Sequence, residues 1–340
     1  MSTHRTDRRI ASRRVVAKTD PQLPRGVDPK VALALCVVYL VWSTTFFAMR
    51  ISLNDYPPFF LCAIRFLLAG VLLFAYAFTT GAVRIDRRLL LDALVTGVFM
   101  VTLGNGMVVV AEQHVSSGIA ALVVSSESVF VLLMALFYGR RLSAWQFAGS
   151  GLCVLGVVML AAGTELRYSP IALLALLTAS LAWAAGSMWS ARHSSSGSVL
   201  TLVALQMLIG GAISLAMAWG LDERLAFSSA ASANLAVLYL ALFGSIAAFI
   251  SYNYLIRKVS PSLATSYAYV NPAIAFVVGC IFDTDRFGFS TALSLLGILT
   301  GLWLIVRYEA NTPAANAHPE YVAQTCASDP QPALANTRGE

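Results

Sequence analysis

The chain has 340 residues, of which 58% are hydrophobic and only 12% charged. A soluble domain carries about a quarter charged residues, so a water-soluble enzyme or binding module is excluded. The formal net charge of +6 does not signal nucleic-acid affinity, because the basic residues gather in the N-terminal tail and in short loops, the pattern that orients a chain in a lipid bilayer.

Residues 1–30 hold Arg5, Arg8, Arg9, Arg13, Arg14 and Lys18 and read as a cytoplasmic basic tail. The segment is too long and polar for the start of a signal peptide. Ten apolar runs follow, at 31–50, 59–80, 89–110, 116–137, 145–163, 170–190, 200–219, 232–256, 262–282 and 290–307. Each is near the ~20 residues that cross ~30 Å of hydrocarbon. The runs are continuous rather than alternating, so spans 1 to 10 are helices and not strands of a barrel. Short connections make consecutive spans antiparallel. Residues 308–340, rich in Ala, Pro, Asn and Gln, read as a disordered cytoplasmic tail.

Of the 23 Lys and Arg, only Arg50, Arg167, Arg224 and Arg286 fall on the side away from the termini, and Arg65 falls inside a span. That bias places both termini in the cytoplasm. The five cysteines form no CxxC pair or Cys/His cluster, so neither a disulfide framework, a metal nor another cofactor is expected. HExxH, Walker A and GxSxG are absent too, which argues against an enzyme and against ATP-driven transport.

The halves repeat. "YLVWSTTFFAMR" (39–50) aligns with "SLAWAAGSMWSAR" (180–192) at an offset of 141, pairing Trp42 with Trp183. The same offset pairs Arg65 with Gln206 and Gly70 with Gly211, and "VSSGIAA" (115–121) matches "VSPSLAT" (259–265) at 144. The units are 31–163 and 170–307, five spans each. An odd number of spans inserts the second unit upside down, so the expected fold is all-α, polytopic, with ten transmembrane helices as two inverted five-helix repeats. Inverted repeats build transporters that alternate access around a midplane site.

"VWSTTFFAMRISLNDYPPFFLCAIRFLLAG", "AEQHVSSGIAALV" and "GRRLSAWQFAGSGLCVLGVVML" resemble the spans of EamA-type members of the drug/metabolite transporter superfamily. The carrying elements are Trp42/Ser43, Pro57/Pro58 and Arg65/Phe66. The resemblance covers roughly 31–307. It implies a bacterial inner-membrane protein that exports metabolites or drugs, with spans 1–4 and 6–9 lining the route and spans 5 and 10 peripheral. Two departures stand out. Gly139-Arg140 replaces the family's Gly-Glu at the start of span 5, with Asp285 near the matching place in the second copy. Glu127-Ser128 replaces a mid-span proline of span 4 that the second repeat keeps as Asn271-Pro272.

Glu127 lies roughly 17 Å deep at 1.5 Å per residue. A carboxyl in hydrocarbon loses the hydration that supports its charge and must take a proton or a partner. It therefore reads as a proton-coupling or cation-binding group, against the plainer role of tying helices together. On a continuous helix its face carries Ala120, Val123, Val124, Val131 and Met134, while Gly118, Ala121, Ser125 and Ser128 fall elsewhere. Arg65, roughly 9 Å deep, is the natural partner; the plainer reading is snorkelling to the outer interface. The remaining candidates for the substrate or proton path are Trp42, Asn105, Trp183, Gln206, Tyr252, Tyr267 and Asn271, against interhelical hydrogen bonding. Gly104-Asn105-Gly106 and Asn271-Pro272 mark expected helix irregularities. Trp145 and Tyr308 read as interface anchors. "GILTG" (297–301) permits close helix approach within the chain or in a homodimer.

The expected function is secondary export of a small-molecule substrate by alternating access, with proton coupling through Glu127. The alternatives are an uncoupled exchanger or facilitator and, from another class, a non-transporting membrane sensor or scaffold.

Overall fold

The computed structural model describes residues 28–137, 143–163, 169–193, 198–259, 267–282 and 288–310. Both tails, Gly139-Arg140, Asp285 and residues 260–265 of the second repeat motif lie outside them, as do the side chains of Tyr269 and Tyr308. All regular structure among the described residues is helical. Spans 1, 2, 5, 6, 7, 9 and 10 are Pro29–Ser52, Pro58–Thr79, Ala144–Gly163, Pro170–Arg192, Val199–Gly220, Tyr267–Phe282 and Phe289–Ala310. Several spans outrun the apolar runs because helix starts are set by capping chemistry rather than by hydropathy. The Asp28, Asp86 and Ser169 side chains accept from the backbone N–H of Lys30, Leu89 and Ala172, and Pro29, Pro58 and Pro170 occupy the first helical turn.

Three spans are composite. Span 3 runs as Arg87–Thr96, a π-helical segment Gly97–Asn105 and Gly106–Glu112. Span 8 repeats this as Ala231–Tyr239, π-helical Leu240–Ala247 and Ala248–Lys258. Span 4 is broken into Ser117–Val124 and Glu127–Phe137. At the break, Ser126 and Val129 donate to carbonyls three residues back at 3.0 and 2.9 Å, and the Ser125 hydroxyl turns back onto Leu122 O at 2.6 Å. Local hydrogen bonding by serine competes with the helix ladder here. The irregularity expected at Gly104-Asn105-Gly106 is thus the end of a longer π segment, and its partner in span 8 had no Pro or Asn to announce it.

The repeat is legible in packing. A Cβ on Gly70 of span 2 would meet Leu208 at 2.8 Å, and one on Gly211 of span 7 would meet Leu67 at 3.0 Å. These two contacts are each other's images at the 141 offset, so spans 2 and 7 cross on the pseudo-two-fold axis. Span 1 packs on spans 8 and 9, and span 6 packs on spans 3 and 4. Spans 5 and 10 pack tightly on each other, with only slight contact to spans 4 and 9.

The turn after span 2 recurs after span 7. Gly81 N–H bonds Phe78 O and Ala82 N–H bonds Ala77 O; Asp222 N–H bonds Trp219 O and Glu223 N–H bonds Ala218 O. Both are helix ends that need a left-handed residue. Gly81 has φ 67° and suits it, whereas Asp222 has φ 54° and carries a Cβ. Asp222→Gly should therefore stabilise the protein by about 0.5–1 kcal/mol, read as a raised Tm in detergent.

The turn holding Asp222 also clamps the first half. The Glu223 carboxylate caps span 2, accepting from Phe59 N at 3.1 Å and Phe60 N at 2.7 Å. Beside it the Tyr56 hydroxyl donates to Asn234 Oδ1 at 2.5 Å and accepts from Ser228 N at 3.1 Å. The two repeats are thus tied together at the ends away from the termini. Seven of the helices are long and apolar enough to cross a membrane, and the described parts of spans 5, 9 and 10 are shorter apolar helices.

Candidate functional site

The central cavity is placed by the same irregularities. Spans 1, 2, 3 and 4 contribute Thr45, Phe46 and Met49, then Arg65, then Gly104, Asn105 and Val108, then Ala121, Val124, Ser125 and Glu127. Spans 6 and 9 contribute Ala179 and Trp183, then Tyr267, Ala268, Asn271 and Pro272; Trp42 completes the wall from span 1. Most of these positions lie between mid-span and the ends away from the termini. The centre of a water molecule can reach about 80 Å³ of the cavity, room for several waters, given that one occupies about 10–15 Å³ on this measure.

Aromatic rings close the cavity on the side of the termini. Trp42 lies 5.5 Å from Trp183, 5.8 Å from Phe249, 5.1 Å from Tyr252 and 5.0 Å from Tyr267, between ring centroids. Most of these pairs are edge-to-face, the arrangement that ring quadrupoles favour. The two tryptophans paired by sequence therefore meet where the repeats meet. Each also rests on the π segment of the opposite half. Trp42 Nε1 donates to Gly244 O at 3.2 Å, and the Trp183 ring comes within 3.0 Å of where a Cβ on Gly104 would sit. The widened i→i+5 turn exposes the Gly244 carbonyl to Trp42, and the missing Cβ at Gly104 lets the Trp183 indole approach the backbone.

Glu127 is buried, 5% exposed. Its carboxylate accepts from the Tyr267 hydroxyl at 3.1 and 3.3 Å. It shares the wall with Ala121, Val124 and Ser125, two of which the helical wheel put on other faces. The wheel fails because it assumes one continuous helix, and span 4 breaks just before Glu127. At the equivalent level of span 9, Pro272 lies inside the helix and has no N–H to give the Ala268 carbonyl. Asn271, the counterpart of Glu127, is 6% exposed, and its Oδ1 is buried without a hydrogen bond.

Arg65 does not snorkel. It is 2% exposed and reaches inward. Its Nε donates to Ser245 Oγ at 2.9 Å, and Nη1 faces Asn105 Oδ1 at 3.4 Å and Met49 Sδ at 3.6 Å. No ion pair joins it to Glu127 among the described residues; each is held by a different span. Asn105 in turn donates from Nδ2 to Met100 O at 2.8 Å, which fixes its Oδ1 towards the cavity.

Two candidates stand behind the wall. Gln206 reaches Thr96 O at 3.5 Å and Met100 Sδ at 3.7 Å in span 3, the mirror of Arg65 against span 8. Tyr252 packs on Trp42 and Tyr267, with its hydroxyl 3.1 Å from Ser187 Oγ. Spans 7 and 8 thus support the cavity without lining it, and spans 5 and 10 take no part. Sequence reasoning missed Gly244 and Ser245; the available signal was a small, polar pair at the middle of an otherwise apolar span.

The EamA-like transporter family matches twice, over residues 29–162 and 170–307. The chain is 39% identical to the inner membrane transporter YedA of Escherichia coli strain K12, over 72% of this chain and 80% of that one. It is 26% identical to the transporter YdfC of Bacillus subtilis strain 168, over 76% of this chain and 83% of that one. A solved crystal structure of a protein at 20% identity superposes with a TM-score of 0.60, covering 82% of this chain and 96% of that one, which speaks to the fold alone. The twofold match covers both halves of the helical bundle and the cavity between them: the chain is a membrane-embedded protein that belongs to the EamA-like transporter family.

Proposed function

We propose that this protein is a secondary transporter that exports a small metabolite or drug across a bacterial inner membrane, with both termini in the cytoplasm and with Glu127 as the coupling carboxyl. The observation that carries the reading is Glu127 itself, a buried carboxyl on the wall of the cavity whose partner among the described residues is a phenol and not a cation. A group so placed can take a proton in one state and release it in another when the surrounding spans move. Alternating access is the reading that the repeat supports: rocking one half against the other opens, in turn, the side sealed by the Trp42 ring cluster and the end clamped by Glu223 and Tyr56.

The test is flux of labelled metabolites in proteoliposomes, with and without a pH gradient. Wild type should respond to the gradient. Glu127→Gln, which can still accept from Tyr267, should carry the solute but lose the response. An equal response in both proteins removes Glu127 as the coupling group and leaves the facilitator. Absence of flux for every metabolite tried leaves the sensor or scaffold.

A further inference from the structure

We infer that the Arg65 guanidinium is an anion subsite, and that the transported molecule carries a single carboxylate on a compact apolar or aromatic body. The inference rests on the cavity being the transport site. A guanidinium is always charged in proteins, and a buried charge is strongly unfavourable unless it is paired. Arg65 is buried on the cavity wall, yet all the acceptors it meets are neutral: Ser245 Oγ, Asn105 Oδ1 and Met49 Sδ. Its carbon lies 4.6 Å from the centre of the Phe66 ring, which supplements but does not neutralise the charge. Arg65 forms no ion pair among the described residues: the buried Glu112 carboxyl acts on it only at a distance, and Glu127 is engaged by Tyr267 of another span.

The remaining N–H groups belong to Nη2, which makes no hydrogen bond among the described residues. Nη2 sits 3.1 Å from the place a Cβ on Gly244 would occupy, so the glycine leaves it room. A carboxylate oxygen can accept a charge-assisted hydrogen bond from this nitrogen and supplies the negative charge that the neutral acceptors do not. A phosphate monoester would bring about two negative charges against one cation. Much of the rest of the wall, Phe46, Val108, Val124, Trp42 and Trp183, fits an apolar or aromatic body, while Glu127 of span 4 and Asn271 of span 9 line it as well. The asymmetry of the repeat gives direction: Gln206 at the matching position is neutral and occupied by span 3, so the cavity has one cationic end and the substrate enters one way round.

The experiment is calorimetric titration of the full chain in detergent with phenylacetate and hexanoate, each against its uncharged amide. Wild type should bind each carboxylate about tenfold or more tightly than its amide. Arg65→Gln, which installs the residue of the second repeat, should bring the carboxylates down to the affinity of the amides and leave the amides unchanged. Arg65→Lys should keep part of the preference. Equal binding of carboxylate and amide by wild type overturns the inference without any variant, and so does a preference that survives in Arg65→Gln. Carboxylate preference without flux in proteoliposomes would overturn the transport reading and leave the subsite. Flux of neutral or cationic solutes with no carboxylate preference would do the reverse.

Discussion

Trp42→Ala should abolish transport and cost about 3–5 kcal/mol of stability, the range for removing a large buried aromatic side chain. Trp42 is 7% exposed and its ring touches four others contributed by spans 6, 8 and 9. It thus joins both halves at the floor of the cavity. Alanine would leave a void between Trp183, Phe249, Tyr252 and Tyr267 and would open a leak path at the level where the substrate must be held. Trp42→Phe separates the two contributions. It keeps one aromatic ring among these neighbours but loses the second ring of the indole and the hydrogen bond to Gly244 O, a change of about 1–3 kcal/mol. Flux in proteoliposomes and thermal unfolding in detergent read the two effects independently. A flux unchanged in Trp42→Ala would show that the ring cluster does not seal the cavity.

The second large effect lies far from the cavity. Gly301→Val should prevent spans 5 and 10 from packing. A Cβ at 301 would stand 2.5 Å from Gly149 O, 2.6 Å from Cys153 Sγ and 2.9 Å from Cys153 N. Two of these are backbone atoms, so the helices themselves must separate. Overpacking of this kind costs about 1–3 kcal/mol or more, and without close contact the pair loses the van der Waals packing that drives helix association in lipid. Gly151→Val is the control: on span 5, the helix that Gly301 packs against, its Cβ would meet nothing within 4 Å. The expected result is a marked fall in Tm for Gly301→Val and little change for Gly151→Val. Since spans 5 and 10 stand off the cavity, solute affinity measured on the folded fraction should be unchanged. The contact also settles what "GILTG" does here: Gly297 and Gly301 face span 5 of the same chain, the intramolecular reading of the motif.

The departures between sequence and structure share a cause. The helical spans and the inverted repeat were readable because each depends on local quantities: the length of an apolar run, a matched Trp or Gly. The Trp42/Trp183 pairing survives as a direct contact because a residue near the pseudo-two-fold axis meets its own image. Glu127 was findable as a charge in hydrocarbon. Its face was not, because a wheel of 100° per residue propagates a continuous helix through Ser125 and Ser126, whose hydrogen bonds break it. The π segments in spans 3 and 8 were only half legible, since an i→i+5 turn is selected by what packs against it and has no composition of its own.

By itself, then, the sequence determined that this protein is a ten-span helical bundle built from two inverted repeats, and that Arg65, Asn105, Glu127 and Asn271 lie within its spans; that Asp92 and Glu112, near span ends, are buried too was not legible. Hydrocarbon makes those decisions early, because each span must satisfy its own backbone. Only the tertiary structure decided the partners. Arg65 and Glu127 look like an ion pair in one dimension, yet one is held by Ser245 and the other by Tyr267. Which of several neutral acceptors a buried charge meets depends on how the two halves cross, and that crossing is set by close contacts such as Gly70 on Leu208 and Gly211 on Leu67, more than a hundred residues apart in the chain.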